Sequence, residues 1–185
     1  MFADAGSAFR RRILAADLPD VLGGEPCLSG ERSRTEGRRL TESPPSLTVT
    51  RIIRAAPAEL FELWTRPERL KTWWGPADVT CPYAEIDLRS GGAYRIANAF
   101  PDGRVVVIAG LFEVIEPPEL LVFSWSIQGN STLPERVSVR FTALPDGQGT
   151  EVTVMHERIA SPEVRKSHET GWLGCLDGLE GLFLS

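Results

Sequence analysis

The stretch Ser161–Leu184 reads SPEVRKSHETGWLGCLDGLEGLFL. Its pattern predicts one long helix. Ser161 suits the N-cap, Pro162 the first helical position, and Glu163 the positive end of the helix dipole. Val164, His168, Trp172, Leu176 (or Cys175), Leu179 and Phe183 recur at spacings of three and four, so they line one face. Gly171, Gly174, Gly178 and Gly181 form a stripe beside that face. Each glycine in a helix interior costs about 1 kcal/mol against alanine, so the clustering asks for a reason. A smooth face lets another layer come close, or leaves space unfilled. The expectation is a helix lying across a curved sheet, with the functional site in the gap between them.

The rest of the chain supplies such a sheet. SLTVTRIIR, residues 46–54, alternates as a strand. Pro57 then opens a helix carrying Leu60, Phe61 and Trp64 on one face, and Pro67 opens a second short helix that runs into Trp73-Trp74-Gly75-Pro76. Six further strand patterns follow: 83–88, 93–100, 104–115, 120–127, 135–144 and 150–157. Turn signals separate them: Ser90-Gly91-Gly92, Pro101-Asp102-Gly103, Glu116-Pro117-Pro118-Glu119 and Pro145-Asp146-Gly147. Gly110 reads as a bulge or bend in the long strand. The predicted order is β-α-α-β-β-β-β-β-β-α, an α+β fold. Short connections make it an antiparallel meander of about six to seven strands, which must curl to bury one long helix.

Composition narrows the function classes. The 185 residues are 42% hydrophobic, enough for one domain with a real core plus an appendage. The formal net charge is -5, against a nucleic-acid partner and against an anionic membrane surface. No run is long and apolar enough for membrane insertion. Cys27, Cys81 and Cys175 are odd in number and far apart, as expected of reduced thiols in a cytoplasmic protein. Residues 1–46 differ from the rest: seven arginines, seven acids, no lysine and no strand-like alternation. They are expected to be a disordered extension, with 47–185 as the domain.

Several motifs have a familiar order. R-x-x-x-A-x-P-x-E-L-F-x-x-W-T-x-P-E-x-L-x-x-W-W runs from Arg51 to Trp74. It is followed by Asp87-Leu88-Arg89-Ser90-Gly91-Gly92 and by Gly110-Leu111-Phe112-Glu113-Val114-Ile115-Glu116-Pro117-Pro118. Gly149-Thr150, and Gly171-Trp172 with Leu176 and Leu179, complete the series. Each motif is weak alone; in this order over 47–184 they resemble the family named after the activator of the heat-shock-protein-90 ATPase. That family lies in the START-like (SRPBCC) superfamily, with the birch-pollen allergen fold and polyketide cyclases. The resemblance implies a helix-grip fold, a curved antiparallel sheet holding a C-terminal helix with a cavity between. It also ties Gly171-Trp172 to the family pattern. Gly171 is therefore expected to serve packing, and Gly174, Gly178 and Gly181 to shape the cavity.

The expected cavity-lining residues are Trp74, Phe112, Phe123, Trp125, Val139, Phe141, His156, His168, Trp172 and Cys175. Trp73 and Trp74 either line a cavity mouth or plug the helix–strand corner. His156 and His168, the only histidines, lie on apolar faces of a strand and of the helix. A hydrogen-bonded core or rim position is the plainer reading of each, and acid–base chemistry the sharper one. A zinc site is not expected, because no cysteine or carboxylate arrives at ligand spacing. Arg95 and Arg140 read as solvent-facing, Glu85 and Asp87 as carboxylates sharing a strand face without the partner across a cleft that glycosidase chemistry needs, and Cys175 as a small core residue. No cofactor and no catalytic set is assigned.

Three functions remain from the sequence. The first is a module binding a small hydrophobic or lipid-like molecule. The second is a cyclase- or hydrolase-type enzyme using His156, His168, Arg95 or Tyr94 inside the cavity. The third, which the family name suggests, is an activator of a chaperone ATPase. Two titratable groups converging on one bound atom would favour the enzyme, and a purely apolar cavity would exclude it. A homodimer stays open as a partner.

Overall fold

The computed structural model describes residues 44–127, 134–145 and 147–184. The expected disorder of 1–46 therefore falls almost wholly outside the described residues. The elements are β1 (Leu47–Ile53), α1 (Pro57–Thr65), the one-turn α2 (Pro67–Leu70), β2 (Thr80–Ile86), β3 (Ala93–Ala99), β4 (Val105–Glu116), β5 (Leu120–Ile127), β6 (Glu135–Ala143), β7 (Thr150–Glu157) and α3 (Pro162–Gly181). They form the expected helix-grip α+β architecture. One curled antiparallel sheet has the order β1-β7-β6-β5-β4-β3-β2. It is a meander from β2 to β7 that closes with β1 beside β7.

Period-two alternation sets the inner face. On β6 it buries Val137, Val139 and Phe141, and on β7 it buries Val152, Val154 and His156. Register brings Val139 opposite Val154 and Val137 opposite His156. Gly110 on β4 is needed for a close approach. A Cβ there would lie 1.8 Å from the Ser124 carbonyl oxygen and 2.8 Å from the Tyr94 ring. The irregularity of β4 lies further on, between Phe112 and Val114.

All five tryptophans gather where α1, the Trp73–Pro76 turn, β5 and α3 meet. Trp64 stacks on Trp172 at 6.0 Å, and Trp172 meets Trp74 at 5.7 Å and Trp125 at 5.2 Å. Trp73 plugs the corner: it is buried, packs 5.0 Å from Trp64, and donates its indole N–H to the Leu63 carbonyl at 3.0 Å.

The helix α3 starts as its sequence predicts, with the Ser161 hydroxyl accepting from the Val164 N–H at 3.3 Å. It buries Trp172, Cys175, Leu176 and Leu179. Asp177 and Glu180 pair with Arg51 of β1 and clip the helix to the sheet edge. The helix ends at Gly181, three residues before the expected Leu184. There the Phe183 N–H bonds the Glu180 carbonyl, a tightened last turn.

The glycine stripe corrects the reading of the sequence. A Cβ on Gly174 would sit 2.5 Å from Pro76 Cβ and 2.9 Å from Pro76 Cα, and one on Gly178 2.9 Å from the Trp73 carbonyl oxygen. These two glycines let the helix press on the Trp73–Pro76 turn, so they serve packing rather than space. Gly171 and Gly181 would meet nothing within 4 Å. Gly174→Leu should therefore destabilise the fold by ~1–3 kcal/mol or more through overpacking. Gly181→Ala should stabilise it by up to ~1 kcal/mol through helix propensity. Urea denaturation of the two variants measures both.

Candidate functional site

A cavity of about 420 Å³ lies between α3, the Trp74–Pro76 turn and strands β3 to β5. Its apolar walls include Trp74, Phe100, Val106, Ile108, Trp125 and Trp172, and its polar groups include Asn98, His168, Ser167 and Thr170. Gly171 lies on the helix wall, so this glycine borders the open space. That reverses its expected role.

The ten expected lining residues divide. Trp74, Trp125, His168, Trp172 and Cys175 line this cavity. Phe112 and Phe123 instead line a void of about 20 Å³ deeper in the core, together with Tyr94 and Trp64. Val139 and Phe141 are core residues; the Phe141 ring packs edge-on against Trp64 at 6.1 Å. His156 is fully buried behind the cavity wall, against Trp125 at 5.4 Å and His168 at 4.5 Å.

The other enzyme candidates leave the site. Tyr94 donates its hydroxyl to the Ser124 carbonyl at 2.8 Å, and burial pushes its pKa far up. Arg95 lies on the face of β3 opposite buried Tyr94 and Ile96, and Arg140 is exposed on β6. Burial also pushes the Cys175 thiol up to about 12, which makes it a poor nucleophile near neutral pH.

Beside the cavity three titratable groups converge. Glu135 Oε2 lies 2.9 Å from His168 Nε2, with which it is hydrogen-bonded, and 3.0 Å from His156 Nε2. The Trp172 indole donates to the other nitrogen of His156, Nδ1, at 3.1 Å. An indole N–H can only donate, so His156 Nδ1 must carry a lone pair. His156 is then the neutral tautomer with its proton on Nε2. Burial pushes its pKa down, which fits that state. Its Nε2 is buried and out of hydrogen-bonding alignment with Glu135, despite the short separation.

Glu135 is 14% exposed. Burial alone would raise its pKa, but the two imidazoles outweigh burial and hold the carboxyl down at about 2. The aligned hydrogen bond to this carboxylate is the one from His168. The two imidazoles stack at 24°, so charging both would set like charges face to face.

Glu135, His156 and His168 bring one ligand atom each within 4.8 Å of one another, a spacing at which metal ions are held. The donor set does not fit. A metal on His156 Nε2 would need that nitrogen's lone pair, and would move the proton to Nδ1 against the Trp172 N–H. Metal-bound histidines give their second N–H to an acceptor, and here it faces a donor. Glu135 and His168 alone fall short of three protein ligands.

Sequence reasoning missed Glu135. The signal was there: it shares the period-two parity of buried Val137, Val139 and Phe141, so it had to point inward.

The family model described as "Activator of Hsp90 ATPase homolog 1-like protein" matches residues 54–183. The chain belongs to that family. No curated protein matches it in sequence. Among solved structures, a Chromobacterium violaceum protein is 23% identical with a TM-score of 0.67, over 77% of this chain and 99% of that one. An activator-homolog protein from Silicibacter pomeroyi is 22% identical with a TM-score of 0.65, over 74% and 96%. A Plasmodium falciparum protein described as an HSP90 activator is 22% identical with a TM-score of 0.58, over 74% and 94%. At these identities the likeness speaks for the fold, the START-like helix grip. No helix among the described residues is long and apolar enough to cross a membrane.

The site's electrostatics have a pH signature. A histidine held below its ordinary value of 6.5 stabilises the fold fully above 6.5 and loses that contribution as pH falls further, because the unfolded chain then binds the extra proton. Glu135, held near 2 against 4.5, adds a second loss between 4.5 and 2. Stability measured by urea denaturation should therefore fall from pH 7.5 to 5.5. Trp172→Phe should cost about 1–3 kcal/mol at pH 7.5 by stranding His156 Nδ1. It should also flatten the fall, because the freed nitrogen can take the proton.

Proposed function

We infer that this protein binds a small hydrophobic molecule, ring-containing or lipid-like, in the cavity beside α3. The carrying observation is the 420 Å³ space with tryptophans 74, 125 and 172 on its walls and a few polar groups among them. Ligand sites have this composition: apolar walls give affinity and sparse polar groups give orientation. The polar groups are partly committed already. Asn98 Oδ1 accepts from the Trp74 indole at 3.0 Å, which fixes the amide so that its N–H₂ end is the free one.

An enzyme is the second reading, and a specific observation favours it. The cavity is not purely apolar, since His168 lies on its wall and is hydrogen-bonded to the half-buried carboxylate of Glu135. Chaperone activation has weaker support. It rests on a family name and on the description of a Plasmodium protein at 22% identity. A nucleic-acid partner is disfavoured by the net charge of -5.

Gly171→Leu tests ligand binding. The new side chain enters open space, so the fold should hold or gain up to ~1 kcal/mol from helix propensity. Mass spectrometry of molecules released from the purified protein identifies bound ligand. Titration with 1-anilinonaphthalene-8-sulfonate, read by quenching of the cavity tryptophans, then compares affinities. The variant should lose at least tenfold in affinity; equal binding by both proteins would refute the site.

A further inference from the structure

We propose that His168 is a general base presented to the cavity, and that the bound molecule is an apolar carbonyl compound with an acidic hydrogen on the carbon next to the carbonyl. This rests on the ligand-binding reading of the cavity and deepens it. Three observations carry it. His168 lines the cavity, its side chain is 10% exposed, and its Nε2 is taken by Glu135, so Nδ1 is the nitrogen left for a ligand. No partner for Nδ1 is found among the described residues. Glu135 is an ionised carboxylate at 2.9 Å, placed to stabilise the imidazolium that forms when Nδ1 takes a proton. Asn98 lies on the same cavity, and its oxygen accepts from Trp74, which fixes the amide so that its N–H₂ end is available as a donor.

The step follows from these positions. His168 Nδ1 removes the hydrogen from the α-carbon as a proton. The C–H electron pair becomes the new C=C bond, and the carbonyl π pair moves onto oxygen. Asn98 donates to that oxygen as its charge grows. Return of the proton from Nδ1 to carbon restores the ketone and the free base, so no oxidant, reductant or further reactant is consumed. His156 takes no part as a base, because its Nδ1 is occupied by Trp172. It packs on the His168 ring at 4.5 Å and helps hold its plane. Glu135 is a positioning residue. Among the described residues, Glu135 from β6 and His156 from β7 are the ionisable groups against His168; β5 contributes the uncharged Trp125.

The test uses 2-tetralone, 1-indanone and 4-phenyl-2-butanone as probes on the full-length protein. Tryptophan quenching measures binding, and ¹H NMR in D₂O follows loss of the α-proton signals. The wild type should bind at least one ketone and accelerate its exchange above the buffer rate. His168→Gln should bind it but slow exchange by roughly 10²–10⁴-fold, the usual worth of a general base. Asn98→Asp keeps the acceptor for Trp74 while removing the donor, and should slow exchange as well. Glu135→Gln should shift the rising limb of the pH–rate profile to lower pH, since the imidazolium loses its counter-ion; a purely structural role would leave the midpoint in place. Binding without exchange, or unchanged exchange in His168→Gln, overturns the general base and leaves the binding site standing. Failure of all three ketones to bind overturns the carbonyl substrate class and counts against the cavity reading itself.

Discussion

The indole N–H of Trp172 can give a hydrogen bond and never receive one, and it points at a fully buried imidazole. Much of the site follows from that single donor. It fixes the tautomer of His156 and keeps that ring neutral. It disqualifies a cluster whose spacing would otherwise suit a metal, and it leaves the Nδ1 of His168 as the imidazole lone pair open to a ligand. Trp172 can do this because it is itself pinned. Rings from α1, the Trp73–Pro76 turn and β5 surround it, and the fold places α3 across the inner face of the curled sheet.

The helix is held by two different means, and they divide its faces. On one side Gly174 and Gly178 allow contact with the Trp73–Pro76 turn that a Cβ would prevent. On the other, Ser167, His168, Thr170 and Gly171 border the cavity. Close packing toward the C-terminal half thus coexists with open space toward the N-terminal half. The same helix serves as a structural clamp and as one wall of a binding site, and Trp172 lies where the two meet.

Local pattern made most of the fold legible. Alternation gave the strands, Pro57, Pro67 and Pro162 gave the helix starts, and the apolar spacing in Ser161–Leu184 gave the long helix. The motifs gave the family. Where the cavity lies was less legible, because spacing tells which residues share a face and not how far that face stands from its neighbour. Phe112 and Phe123 point inward as expected, yet face a void of about 20 Å³ rather than the larger cavity. The glycines were misjudged for the same reason: what lies beyond an absent Cβ is set by another segment. The convergence of Glu135, His156 and His168 joins β6, β7 and α3 across tertiary distance, so no local spacing announces it. Only the parity of Glu135 with Val137 hinted that a carboxylate turned inward.

The central claim is that Trp172 locks His156 as a neutral ring protonated on Nε2, and ¹⁵N NMR of the histidine side chains tests it most directly. The prediction is a protonated Nε2 and a lone-pair Nδ1 on His156 at pH 7. A proton on His156 Nδ1, or an imidazolium at that residue at neutral pH, would contradict the account.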